Sequence, residues 1–398
     1  MEAFATAGEL AARLGAAAAG GARVRAVGGG TKLDWGAPGA PVDVELSTAG
    51  LRELREHVPG EFVAVVGAGL PLAELQERLA GAGERLALDP PLQGPRSPPP
   101  ELVPAPPAAP APAASATVGG VVATGDSGPL RHRYGAPRDL VLGVTVALSD
   151  GTLARAGGKV IKNVAGYDLA KLLAGSFGTL GVVVEVALRL HPLPGATVTA
   201  VAPASDPARL AAAAGALAHE RVELESLDVR WSAGDGAVLA RAAGPAAPDL
   251  AAHAAATLRA AGLEPELVAD DDALWERQRA GQRARPASED LVVRVSGRQS
   301  RLGEILSAAR RLGGEVVGRA APGLCWVRVA GGGADAVREL RRALDPLPCV
   351  VLDAPAAVRE AVDPWGDVDP GLLELTRRVK ARFDPAGALA PGRFVGAV

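Results

Sequence analysis

The sequence predicts an α+β chain of two domains, and three features carry that expectation. In the second half the order β-α-β-β-α-β occurs twice in succession. In the first half, a short apolar strand stops abruptly at Gly28-Gly29-Gly30, and a second glycine pair, Gly119-Gly120, sits in a strand-like stretch of small residues. Between the halves, Pro192-Leu193-Pro194 follows a long apolar strand and marks a boundary. The expected division is residues 1–195, 196–363 and a closing segment 364–398.

Taken in order, the first domain opens on a helix whose apolar positions include Leu10 and Leu14. Strands follow over residues 23–27, 42–46 and 62–66, then a helix over 72–79 with Leu72, Leu75 and Leu79 on one face. Eleven of the 33 prolines fall between Pro90 and Pro112. Proline has no amide donor for a helix or sheet, so residues 90–114 read as an inserted, unstructured or polyproline-like loop. Residues 116–125, ATVGGVVATG, read as a strand-like setting of small residues. Residues 140–147 and 152–156 flank Ser149-Asp150-Gly151 and describe a hairpin. A short helix over 168–173 is expected to be capped by the Asp168 carboxylate, before the strand 180–190.

The second domain's first repeat consists of strands 198–201, 223–230, 237–241 and 264–268, with helices 207–219 and 247–261. The second has strands 291–295, 314–317, 325–329 and 350–352, with helices 302–312 and 334–344. Two split β-α-β units side by side make one antiparallel sheet. A last helix, 372–383, leads into Pro391-Gly392-Arg393-Phe394.

Composition narrows the function. With 48% hydrophobic and 22% charged residues the chain can bury a large core. A net charge of -3, from 42 basic and 45 acidic residues, leaves no electrostatic footprint for nucleic acid or an anionic membrane. Cys325 and Cys349 have neither metal nor disulfide spacing, which favours the cytoplasm. The N-terminus has no basic region of a signal peptide, and no run reaches the roughly 18 apolar residues of a membrane span. No metal site is expected.

The glycine clusters carry the chemistry. Three residues without Cβ after a strand let successive amides converge on an anion such as a pyrophosphate, and Thr31 and Lys32 add a hydroxyl and a cation. The segment is not G-x-G-x-x-G, because Leu33 stands at the third glycine position. Thr117, Gly119, Gly120, Ala123 and Thr124 would let a flat ring or phosphate approach the main chain closely. From Gly158 to Val182 the chain reads G-x-V-x-K-N-V-A-G-Y-D-L and then G-S-x-G-x-L-G-V.

That pattern resembles the FAD-binding subunits of bacterial glycolate oxidases, within the vanillyl-alcohol oxidase type, or PCMH-type, flavoproteins. The resemblance is expected to extend over nearly the whole chain apart from the proline insertion. It implies a two-subdomain FAD-binding domain, a cap domain built from the duplicated antiparallel sheet, and a C-terminal tail returning to the flavin domain. It places Asp126, Ser127, Gly128, Arg131 and Tyr134 around the ring and pyrophosphate, and Thr179, Gly181 and Val182 near the adenine end. It suggests that Lys162 favours negative charge on the flavin. FAD should be non-covalent, since Thr31-Lys32 replaces the histidine some relatives carry.

Catalytic relatives carry a histidine-rich motif in the cap, whereas this cap has His219 and His253 in alanine-rich helices. The implied role is therefore a flavin-bearing subunit relaying electrons between a catalytic flavoprotein and an iron–sulfur partner. Two other readings stay open. One is a stand-alone FAD-linked oxidase using cap residues such as Arg294, Arg298 or Trp326; the other is an assembly subunit that has lost its flavin.

Overall fold

The structure is a computed structural model, and it describes residues 1–93, 115–160 and 167–398. Lys162 and nearly all of the expected proline insertion lie outside the described residues. The chain divides into two compact units. The first comprises Met1–Ser127, Gly135–Leu193 and Asp367–Val398; the second comprises Gly128–Tyr134 and Pro194–Gly366.

The first unit opens with the helix Ala7–Ala19, started by a capping box in which Thr6 and Glu9 satisfy each other's backbone amides. Leu10, Leu14 and Ala17 recur at helical spacing and are buried against Val24, Leu46 and Val184. Strands Val24–Val27 and Val44–Ser47 pair in parallel, and Glu2–Ala3 extends the same sheet. A second, antiparallel sheet has the order Leu54–His57, Val63–Gly67, Val182–Arg189, Val141–Ala147, Leu153–Gly157. The expected hairpin is present, with Val144 opposite Ala156.

Two local expectations are corrected. Residues 118–124 form a helix, Val118–Thr124, although Val-Val looked strand-like. Thr117 caps its start by accepting from the Gly120 amide at 3.3 Å, and Gly125, at φ 65°, ends it. The two caps outweigh the β preference of two valines. The helix Leu169–Leu173 does form, but Asp168 makes no side-chain cap hydrogen bond; its carboxylate instead pairs with Lys171 at 3.2 Å.

The second unit is one eight-stranded antiparallel sheet. Its spatial order is Glu266–Val268, Thr197–Ala204, Asp235–Ala243, Ser226–Ser232, Glu315–Arg319, Leu324–Val329, Leu291–Ser296, Cys349–Asp353. Each repeat thus keeps the split β-α-β order, and the two join through their second strands, Ser226–Ser232 against Glu315–Arg319. Alternating residues such as Leu227, Val229, Val293 and Val295 pack with Leu210, Leu258, Ile305 and Leu340 of the helices in a common core. Each large apolar side chain so buried contributes about 1.5–3 kcal/mol.

The other strand parity faces a helix that periodicity did not predict, Asp272–Ala280, with Leu274 and Trp275 on Val201 and Leu239. Its sequence, with five of nine residues polar or charged, concealed it. What fixes it is a polar network: Asp271 accepts from Thr199 at 2.6 Å and from Arg241 at 2.8 Å, and Trp275 Nε1 donates to Thr199 at 2.8 Å.

Candidate functional site

One pocket in the first unit brings together segments far apart in sequence: the loop after strand Val24–Val27, the start of helix Val118–Thr124, the turn around Phe177 leading into Val182–Arg189, and Arg393. Of the predicted residues, Gly28, Gly29, Gly30, Thr31, Lys32, Thr117, Gly119, Gly120, Ala123, Thr124, Gly181 and Val182 line it. Seven of its nineteen lining residues are glycine, so much of the wall is bare main chain.

The glycines do different things. A Cβ on Gly119 would stand 2.6 Å from Ala68 Cβ and 2.8 Å from the Ala68 carbonyl oxygen, so this residue lets the helix start pack on the Gly67–Leu70 turn. The Gly119 amide is itself committed, donating to Ala68 O at 2.8 Å, and that of Val118 donates to Leu70 O at 2.9 Å. A Cβ on Gly28 would meet Thr117 Oγ1 at 2.3 Å, and one on Gly181 would meet Val146 Cγ2 at 2.4 Å. These three glycines hold the pocket's elements together. Gly120 differs: its Cβ would meet only Thr117 Oγ1, at 3.1 Å. Gly30 turns the loop through φ 75°, a conformation an L side chain opposes.

Charge inside the pocket is organised by a buried ion pair. Lys32 Nζ lies 3.2 Å from Asp126 Oδ2, with the two side chains 5% and 3% exposed, and 5.7 Å from the Trp35 ring centroid. Lys32 also donates to Thr31 Oγ1 at 3.4 Å. A lysine so enclosed is held by its carboxylate at a fixed point instead of sampling solvent.

The C-terminal segment forms the remaining wall. Arg393 donates from Nε to Trp35 O at 3.1 Å, and from Nη2 to Lys32 O at 2.8 Å and Leu33 O at 3.2 Å. Its guanidinium lies 5.7 Å from the Phe177 ring centroid, and Phe394 packs 5.8 Å from the same ring. Phe177 adopts φ 57°, rare for an aromatic residue, and its amide donates to Ala123 O at 2.8 Å. Upstream, Lys380 donates to Thr179 O at 2.8 Å and Leu389 O at 2.7 Å and pairs with Asp384 at 2.6 Å. Burial pulls Lys380 below the ordinary lysine range, against the opposing pull of Asp384.

Several predicted residues lie elsewhere. Thr179 is buried and does not line the pocket: its carbonyl accepts from Lys380 and its hydroxyl donates to the Ser176 carbonyl. Ser127 is buried with its amide on Asp126 Oδ1 at 3.0 Å. Gly128, Arg131 and Tyr134 belong to the second unit. In that unit His219 faces the Gly215 carbonyl at 2.7 Å and His253 lies 3.5 Å from Glu220, both on exposed helix surfaces. Trp326 is buried with Arg319 stacked 4.7 Å from its ring centroid, Arg294 is half-buried and Arg298 exposed.

Thr48, Phe177 and Arg393 line the pocket without having been singled out. Thr48 carries no sequence signal, being placed by the hydrogen bond its backbone amide donates to Val27 O at 2.9 Å. Phe177 lies inside G-S-x-G-x-L-G-V at a variable position, and Arg393 follows a Pro-Gly turn more than 200 residues downstream.

The pocket fits a dinucleotide of the FAD type. It combines a glycine-rich loop and a buried lysine with bare main chain at Gly120 and apolar walls at Val182, Val183 and Phe177. Comparison with known proteins agrees: residues 3–97 and 105–157 match a family described as the FAD binding domain, so the chain carries such a domain and FAD is its cofactor.

Among curated relatives, glycolate oxidase subunit GlcE of Escherichia coli is 36% identical over 148 residues, 37% of this chain and 37% of that protein. A D-lactate dehydrogenase of Archaeoglobus fulgidus is 36% identical over 165 residues, 42% of this chain and 32% of its own. Glycolate oxidase subunit GlcD of Bacillus subtilis is 46% identical over 78 residues, 20% of this chain and 17% of its own. The aligned stretches thus span well under half of these relatives, less than the near-complete resemblance expected. The fold extends further than the identity: alkyldihydroxyacetonephosphate synthase superposes with a TM-score of 0.68 over 98% of this chain and 76% of its own, at 13% identity. Among the described residues no helix is long and apolar enough to cross a membrane.

Proposed function

We propose that the chain is the FAD-binding subunit of a complex that oxidises a 2-hydroxy acid of the glycolate type, carrying electrons between a catalytic flavoprotein and an iron–sulfur partner. The observation that carries this reading is the pocket built from Gly28–Lys32, Thr117–Thr124 and Gly181–Val182, taken with relatives named as glycolate oxidase subunits. When bound, FAD supplies two-electron redox chemistry that no side chain of this chain has.

The chain's own residues bind and orient it. The Gly28–Lys32 loop and the Lys32 cation would receive the pyrophosphate, and Gly120 would admit the cofactor against main chain. FAD is non-covalent in this reading, because Thr31-Lys32 stands where some relatives carry the histidine of attachment. His219 and His253, held on exposed helix surfaces of the second unit, make no histidine-rich motif, which supports a relay over an independent catalyst.

The test is direct. The purified chain should hold about one FAD, released to the supernatant on acid precipitation, and should oxidise glycolate or D-lactate negligibly with an artificial dye. Co-expression with a histidine-containing flavoprotein homologue and a CxxC-rich iron–sulfur protein should restore turnover. Full turnover by the chain alone would replace this reading with that of a stand-alone oxidase, and a chain that stays colourless after incubation with FAD would remove the flavin altogether.

A further inference from the structure

The C-terminal segment is wired into the pocket at two independent points, although it lies outside the matched FAD binding domain. It first runs beside the edge strand Val24–Val27: Val24 N donates to Ala388 O at 2.7 Å and Ala390 N donates to Val24 O at 2.8 Å, which adds one rung to the parallel sheet. It then crosses the loop, with Ala37 N on Arg393 O and Ala40 N on Pro391 O, each at 3.0 Å. Glycine is required at the crossing, since a Cβ on Gly39 would stand 2.9 Å from Pro391 O and Gly39 itself has φ 67°. Lys380 ties the preceding helix to the Thr179 carbonyl.

We propose that Arg393 is a positioning residue for the anion-binding loop, its planar fork on the carbonyls of Lys32, Leu33 and Trp35 setting the path of Gly28–Lys32 and thereby the pocket's affinity for FAD. This rests on the reading of the pocket as a flavin site. The physical reason lies in the carbonyls. A loop whose amides are to face an anion cannot spend those amides on its own carbonyls, so the carbonyls need donors from elsewhere in the chain. Arg393 supplies three such hydrogen bonds from one rigid group, and the Phe177 face holds the guanidinium in place. A lysine at the same position would keep the charge but present one point donor in place of a fork. The role assigned is therefore geometric, acting through the loop and not through charge in the pocket.

The experiment compares the full-length wild type with Arg393→Met and Arg393→Lys, measuring the Kd for FAD by titration of apoprotein, the visible circular dichroism of the bound flavin, and the apoprotein melting temperature. Both substitutions should weaken FAD binding about tenfold or more and alter the flavin dichroism, because each breaks the fork. Wild-type affinity in Arg393→Lys would overturn the proposal in favour of simple charge. Unchanged affinity in both variants, with only a lower apoprotein melting temperature, would reduce Arg393 to a structural tie. If Arg393→Met fails to fold, Arg393→Lys decides alone. Absence of FAD binding by the wild type would sink the cofactor reading itself, a result separate from any of these.

Discussion

Gly119 and Gly120 are adjacent and chemically identical, yet substitution should affect them in opposite ways. An alanine Cβ at 119 would press on Ala68 Cβ at 2.6 Å and on its carbonyl oxygen at 2.8 Å, and backbone cannot yield as the end of a side chain can. Overpacking of this kind costs about 1–3 kcal/mol. At 120 the added methyl meets only the Thr117 hydroxyl at 3.1 Å, and a helical glycine replaced by alanine gains up to about 1 kcal/mol. For a unit of this size 1 kcal/mol moves the melting temperature by about 2–4 °C. Apoprotein of Gly119→Ala should therefore melt roughly 2–12 °C lower, while Gly120→Ala should be unchanged or up to about 4 °C higher.

FAD affinity should respond the other way for Gly120. Gly120 lines the pocket, and a side chain there would compete with a cofactor lying against the main chain, so Gly120→Ala should raise the Kd about tenfold and Gly120→Val should abolish retention through purification. Gly195→Val serves as the control, since nothing lies within 4 Å of its Cβ direction. The assays are differential scanning fluorimetry of apoprotein and titration with FAD. If Gly120→Ala destabilised the apoprotein as much as Gly119→Ala, or Gly120→Val purified with a full flavin complement, the placement of the cofactor against this helix start would be wrong.

Two further outcomes are expected in the second unit. Asp228 and Arg319, both 0% exposed and 2.8 Å apart, pin the two repeats together at their junction. Arg319→Met alone should cost about 3–5 kcal/mol, and adding Asp228→Leu should recover most of it, because the expense lies in leaving one charge buried without its partner. Burial raises the Asp228 carboxyl to about 6 despite the opposing effects of Arg319 and Gln278. The folded chain then holds a proton that the unfolded chain releases near 3.8, so this group's contribution to stability is complete below about 4 and declines as pH rises to about 6. Urea titrations in which the double variant keeps that slope would exclude Asp228 as its source. Burial likewise pushes the thiols up, Cys325 to about 12 and Cys349 to about 11, so neither should react with a thiol reagent at pH 8 until the chain unfolds. Rapid labelling of native protein would contradict this.

By itself the sequence determined whatever repeats or whatever glycine alone permits. The duplicated β-α-β-β-α-β order could be read because each helix and strand carries its own apolar periodicity, down to helices bounded at Pro207–His219 and Ala334–Leu344. The glycine loop and the second glycine pair were legible because a residue without Cβ leaves a mark in the sequence wherever main chain must be approached. Tertiary structure decided the rest, where the determining partner is remote. Helix Val118–Thr124 looked like a strand until its two caps and the Ala68 and Leu70 carbonyls were in place. Helix Asp272–Ala280 has little apolar face and is held by buried polar bonds to strands as far away as Thr199. Arg393 is one arginine among many until the chain returns to set it on three carbonyls near residue 33. Local propensity acts over a few residues, whereas a hydrogen bond across more than 350 residues exists only after the core has closed.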